Sequence, residues 1–307
     1  MKQGVVFLAL IFLILTPVFL TIDSQDVFIK SDSQYQDAFH SLQPGWSSET
    51  IYQTRPLTPI SICETSANEV LILDTGLSEI LELHLNGSVS TYLSLGNIHL
   101  NAICFQPNAD RVIGIGYRTF YTLNRTTIEV IKEHPLNVSF FTFVVDPTDD
   151  SMYTGDWAND SSILHFDANG EYISTIRNGI LGCGQVAVDS SSDLLYYSEA
   201  FPGRITQLDL ATNTTTVLTS GIAIPGSGES VSIATDPSGD LFYLVAEGIE
   251  SGFYKYNGTA FEFVMAPSLG IGPISWSQKF NSFLATPGYG GCVVQYDPDA
   301  SEPVVLT

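Results

Sequence analysis

Four acidic residues occupy the same place in a repeated pattern. Asp74, Asp156, Glu199 and Glu247 each come at the end of, or just after, a short apolar run that reads as a β-strand. Val144 to Asp156, Ala187 to Glu199 and Ala234 to Ala246 are each separated by 12 positions, and Cys63 to Asp74 by 11. Carboxylates that recur in register collect on one face of a repeated structure. Together with amide and carbonyl oxygens they can hold Ca²⁺ or another hard divalent cation. Asn101, in Leu100-Asn-Ala-Ile103, and Trp157, directly after Asp156, are expected on the same face. The expected ligand site is therefore Asp74, Asn101, Asp156, Trp157, Glu199 and Glu247, with Asn101, Asp156 and Glu199 as the candidate metal ligands. The alternative is that these carboxylates accept hydrogen bonds from the amides of their own loops.

Other reactive arrangements are missing from the sequence. The histidines (His40, His84, His99, His134 and His165) are dispersed with no HxxxH pair, so no histidine-built metal site is expected. The cysteines (Cys63, Cys104, Cys183 and Cys292) form no CxxC pair. No nucleophile-elbow or P-loop motif occurs. Gly114-x-Gly116 lacks the third glycine and the helix of a dinucleotide site.

The elements that would position the acids recur as units. From residue 58 the chain falls into six units of about 40 residues, each with four short strand-like runs. Asn86-Gly87, Asn169-Gly170 and Asn257-Gly258 mark tight hairpins between the third and fourth runs. Such units cannot bury both faces alone and stack to do so. The expectation is an all-β, six-bladed β-propeller of four-stranded antiparallel blades over residues 49–307. Residues 50–54 and 304–306 compete for the outer strand of the last blade. In a meander of this kind, loops between second and third strands share one face with the links between blades. The acids are expected on that face, around the mouth of a central channel. Cys63 and Cys104 fall at equivalent places in the first two units, so either a bridge or two buried thiols is expected. Trp276, on an inner strand, is expected in the core.

The run Val70-Leu-Ile-Leu-Asp-Thr-Gly76, continuing to Asn86-Gly87, resembles an NHL repeat. Leu194-Leu-Tyr-Tyr-Ser-Glu199 followed by residues 204–209 resembles the YWTD type of propeller repeat. The general resemblance, over residues 58–307, is to the NHL, YWTD and SMP-30/gluconolactonase-like six-bladed propellers. That resemblance implies, for its lactonase branch, a divalent metal held in the channel by acids and asparagines. Such a metal lowers the pKa of water and polarises the lactone carbonyl. Asn101 stands where such an asparagine would open an inner strand. The equivalent positions elsewhere hold Phe141, Gly184 and Val231.

Composition and the N-terminus bound the setting. Hydrophobic residues make up 44% and charged residues 14%, enough for a large core, and the net charge is −22. A surface this acidic repels phosphates and argues against nucleic acid as a partner. Residues 4–22 are uncharged and apolar behind Lys2, as in a signal peptide or membrane anchor (residues 1–22), followed by a polar linker at 23–48. Either places the propeller outside the cell, secreted or membrane-anchored. Six Asn-x-Ser/Thr sequons, at Asn86, Asn124, Asn137, Asn159, Asn213 and Asn257, are candidate glycosylation sites. Two functions fit. One is extracellular binding or scaffolding of a protein, glycan or small ligand at the channel mouth. The alternative is a metal-dependent hydrolase or lactonase of the gluconolactonase-like kind.

Overall fold

The computed structural model describes residues 59–135, 140–156, 162–180, 182–189, 191–199, 203–222, 231–245, 252–265, 272–286, 293–297 and 304–306. Residues 1–58, Trp157, Glu247, Asn137, Asn159 and Cys292 lie outside them. Among the described residues no helix is long and apolar enough to cross a membrane.

The described strands form six antiparallel sheets of four, each a simple meander. The first blade is β1 (Pro59–Glu64), β2 (Val70–Asp74), β3 (Glu79–Leu83) and β4 (Val89–Ser94). The second is β5 (Ala102–Gln106), β6 (Arg111–Ile115), β7 (Thr119–Leu123) and β8 (Ile128–Glu133). The third is β9 (Phe140–Val145), β10 (Met152–Asp156), β11 (Ile163–Phe166) and β12 (Tyr172–Arg177). The fourth is β13 (Cys183–Asp189), β14 (Leu194–Glu199), β15 (Arg204–Asp209) and β16 (Thr214–Ser220). The fifth is β17 (Ser232–Thr235), β18 (Leu241–Val245), β19 (Gly252–Tyr256) and β20 (Phe261–Met265). The sixth is β21 (Ile274–Ser277), β22 (Ser282–Ala285), β23 (Val293–Tyr296) and β24 (Val304–Leu306). Each first strand touches the first strands of its two neighbours, and β1 touches β21, so the ring is closed. The sixfold repeat expected from the sequence is the architecture found.

Burial explains why these runs are strands. In β2 and β10 every residue is buried, because second strands are covered by blades on both faces. The outer strand β16 is mostly exposed, β8 has no buried residue, and both carry the polar half of the alternation. Six apolar layers fill the gaps between blades. Phe242 and Phe253 of the fifth blade meet Phe283 and Tyr296 of the sixth, with ring centroids 4.5–5.5 Å apart. Each such buried side chain contributes about 1.5–3 kcal/mol. Gly155 is glycine because space demands it: an added Cβ would lie 2.6 Å from Cys183 Sγ of the next blade.

The last blade draws all four strands from the end of the chain, with Val304–Leu306 on the outside. Among the described residues the ring closes by side-chain contact between blades one and six. Ile62, Val70, Ile72, Leu81 and Leu83 pack against Leu284 and Val293. Beside them, the Glu64 carboxylate accepts bonds from Ser277 Oγ (2.5 Å) and the Lys279 amide (3.0 Å). Lys279 Nζ in turn donates to the Leu83 carbonyl (3.1 Å).

Cys63 and Cys104 are free thiols, so the bridge is not the alternative that forms. Cys63 belongs to the apolar layer between blades one and two, whereas Cys104 packs against the layer between blades two and three. The two side chains leave their strands toward different layers.

Candidate functional site

Topology sets the faces first. Asp74 pairs with Pro59, Asp156 with Phe140 and Glu199 with Cys183, so each acid ends its second strand beside the start of an inner strand. Asn101 lies just before β5 and is on the same face. Its backbone N–H donates to the Ile115 carbonyl, and its Nδ2 donates to the Phe140 carbonyl of the next blade (2.5 Å).

Inside the ring, the inner strands enclose a channel of about 490 Å³. Its wall includes Ile60 and Ile62, Ala102 and Ile103, Phe143 and Val144, Val186 to Val188, Ile233 and Ala234, and Ile274. Asn101 is part of that wall, whereas Asp74, Asp156 and Glu199 are not. No carboxylate, imidazole, ammonium or guanidinium stands among the described lining residues. In a protein of net charge −22 this is an uncharged interior.

Most polar groups of the wall lace neighbouring blades together. Ser61 Oγ accepts from the Ile103 amide (3.1 Å) and donates to its carbonyl (3.2 Å). Ser232 Oγ donates to the Gly272 carbonyl, and Thr235 Oγ1 to the Val188 carbonyl. Gln185 ties three blades: its Oε1 accepts from the Ile233 amide (3.0 Å) and its Nε2 donates to the Ile274 carbonyl (3.2 Å). Trp276 differs. It lines the channel and packs edge-on against Phe283, yet its buried Nε1–H has no hydrogen-bond partner. An unmet buried donor costs about 1–3 kcal/mol.

Asp74 and Glu199 are held within their own blades. Asp74 is fully buried; its Oδ1 accepts from the Leu77 amide (3.0 Å) while Oδ2 has no partner. Burial pushes its pKa above the ordinary carboxylate value. Glu199, 1% exposed, is gripped by the Arg204 fork at 2.6 and 2.9 Å. Asp156 is also buried, and its backbone N–H donates to the Ser162 carbonyl. The Cys183 thiol is pushed up to about 12 by burial, then by the negative charges of Glu199 and Asp156. Among the described residues no three His, Cys, Asp or Glu side chains converge as a metal would require. The described residues therefore do not fit the divalent cation that the lactonase resemblance implies.

Gln185 and Trp276 belong to the channel wall without having been singled out as site residues from the sequence. For Gln185 a signal exists: it is polar inside an otherwise apolar inner strand. Trp276 gives none, since a strand tryptophan reads as core.

No protein-family model and no curated protein matches the chain. Solved structures do match. A gluconolactonase from Xanthomonas campestris superposes with a TM-score of 0.65 at 13% identity, covering 80% of this chain and 86% of that one. Virginiamycin B lyase from Staphylococcus aureus gives 0.55 at 12%, covering 79% and 84%. A chain of a nidogen/laminin complex gives 0.53 at 17%, covering 64% and 74%. At these identities the likeness is one of fold. The chain is a six-bladed β-propeller whose structural neighbours include gluconolactonase and virginiamycin B lyase.

Proposed function

We propose that this propeller binds a neutral small molecule in its central channel, through apolar contacts and a hydrogen-bond acceptor offered to Trp276. The observation that carries the reading is the channel of about 490 Å³, whose described wall holds no charged side chain and one unmet buried donor. That volume suits a drug-sized ligand. A charged ligand would lose its hydration there with no counter-charge to replace it, which costs several kcal/mol or more. A compact carbonyl compound such as a lactone or ester matches both the apolar wall and the donor. The apolar residues 4–22 support a setting outside the cell, where the ligand is met in solution.

Turnover of such a ligand is the second reading, and the gluconolactonase among the structural neighbours favours it. The residues described supply orientation and exclusion of water for it. They supply no carboxylate base and no metal cage at the channel wall. The test is a thermal-shift and calorimetric screen of the full chain against neutral lactones, followed by chromatography of the incubated ligand. Saturable binding that weakens several-fold in Trp276→Phe, with ligand recovered intact, supports binding. Binding followed by conversion to the hydroxy acid selects hydrolysis. No binding by any neutral lactone or ester removes the channel reading.

A further inference from the structure

We propose that the face opposite the channel mouth is a glycan-bearing face, with N-linked chains on Asn86, Asn124, Asn213 and Asn257. This inference does not rest on the ligand assigned to the channel.

The four asparagines occupy one structural position in four blades. Asn86 lies between β3 and β4, Asn124 between β7 and β8, Asn213 between β15 and β16, and Asn257 between β19 and β20. The hairpins close at Leu83 with Val89, Leu123 with Ile128, Asp209 with Thr214, and Tyr256 with Phe261. These turns are at the blade ends opposite Asp74 and Asn101, and hence on the face away from the mouth. All four asparagines are exposed. A tight turn at the rim accepts a large polar substituent without displacing any packed side chain.

The turn geometry also pairs each amide with its sequon partner in three cases. Asn86 Oδ1 accepts from the Ser88 hydroxyl (2.7 Å), Asn124 Oδ1 from the Thr126 hydroxyl (3.2 Å), and Asn257 Oδ1 from the Thr259 hydroxyl (2.9 Å). Asn213 has a φ of 56°, a left-handed conformation that asparagine tolerates. In the transfer, Nδ2 attacks C1 of a sugar carried on a lipid pyrophosphate. The Nδ2–C1 bond forms, the C1–O bond breaks, one Nδ2 proton leaves, and the lipid pyrophosphate departs. Both the sugar donor and its transferase belong to the export pathway.

The consequence is a two-sided propeller. Glycans at four hairpins shield the far face from protein partners.

The test uses protein purified from the cells that naturally make it. Enzymatic deglycosylation in heavy-oxygen water, followed by peptide mapping, marks each occupied asparagine as labelled aspartate. Label at three or four of these asparagines supports the inference. Label at two or fewer, or label confined to Asn137 and Asn159, overturns it. Thr126→Ala and Thr259→Ala each keep the asparagine and remove its sequon. Each is expected to lose one glycan by mass while remaining folded, and a glycan mass unchanged by both substitutions overturns the inference.

Discussion

Replacing Glu64 by Ala is expected to weaken the whole ring, because Glu64 sits where its first and last blades meet. Its carboxylate accepts from Ser277 Oγ at 2.5 Å and from the Lys279 amide at 3.0 Å, and the site is part-buried. Hydrogen bonds to a charged partner contribute about 1.5–3 kcal/mol each, and truncation leaves both donors unmet. Allowing for partial access of water, the loss is about 3–4 kcal/mol. For a domain of this size each kcal/mol moves Tm by about 2 °C, so Glu64→Ala should fall by about 6–8 °C. The control is Glu171→Ala, which also breaks a contact between blades. Its partner Lys132 lies at 2.6 Å, but the Glu171 side chain is 60% exposed. An exposed pair contributes about 0–1 kcal/mol, so Tm should move by about 2 °C or less. The assay is thermal unfolding of the full chain followed by circular dichroism, with Ser277→Ala and the double variant completing a cycle. Equal small shifts for Glu64→Ala and Glu171→Ala would refute the assignment of ring closure to this carboxylate.

Three further outcomes follow from the buried groups. Arg204→Ala leaves the Glu199 carboxylate, 1% exposed, without its fork and should cost about 3–5 kcal/mol in denaturant unfolding, more than Glu199→Gln. Asp74 has a raised pKa in the folded protein, so the folded state holds its proton more tightly than the unfolded chain. Its stabilising effect is full below the ordinary aspartate pKa of about 3.9 and is lost as pH rises through the folded pKa. Asp74→Asn should therefore gain Tm relative to wild type as pH rises from about 3 to 6, and a pH-independent difference would contradict this. Gly155→Ala should cost about 1–3 kcal/mol, because the new methyl meets Cys183 Sγ at 2.6 Å; adding Cys183→Ala should recover part of the loss in the same melts.

The architecture was legible because its signals are local and repeat. Acids at one offset in successive units, and Asn-Gly pairs between the third and fourth strands, survive in the sequence whatever the blades pack against. The direction of the acid side chains was not legible. A carboxylate at the end of a second strand reads the same whether it faces the channel or its own blade. For Glu199 the deciding residue is Arg204, its cross-strand neighbour between β14 and β15. The uncharged channel was hidden for a related reason. Inner-strand side chains such as Gln185 find partners two blades away, and that distance appears only once the ring is closed.

The most direct test of the central claim titrates a neutral lactone against its charged, ring-opened form. A neutral lactone with an apolar ring substituent and its ring-opened carboxylate would be titrated into the full chain by calorimetry, with and without a metal chelator. Saturable binding of the lactone is expected, unchanged by the chelator, with at least tenfold weaker binding of the carboxylate. Equal or tighter binding of the carboxylate, or binding abolished by the chelator, would contradict it.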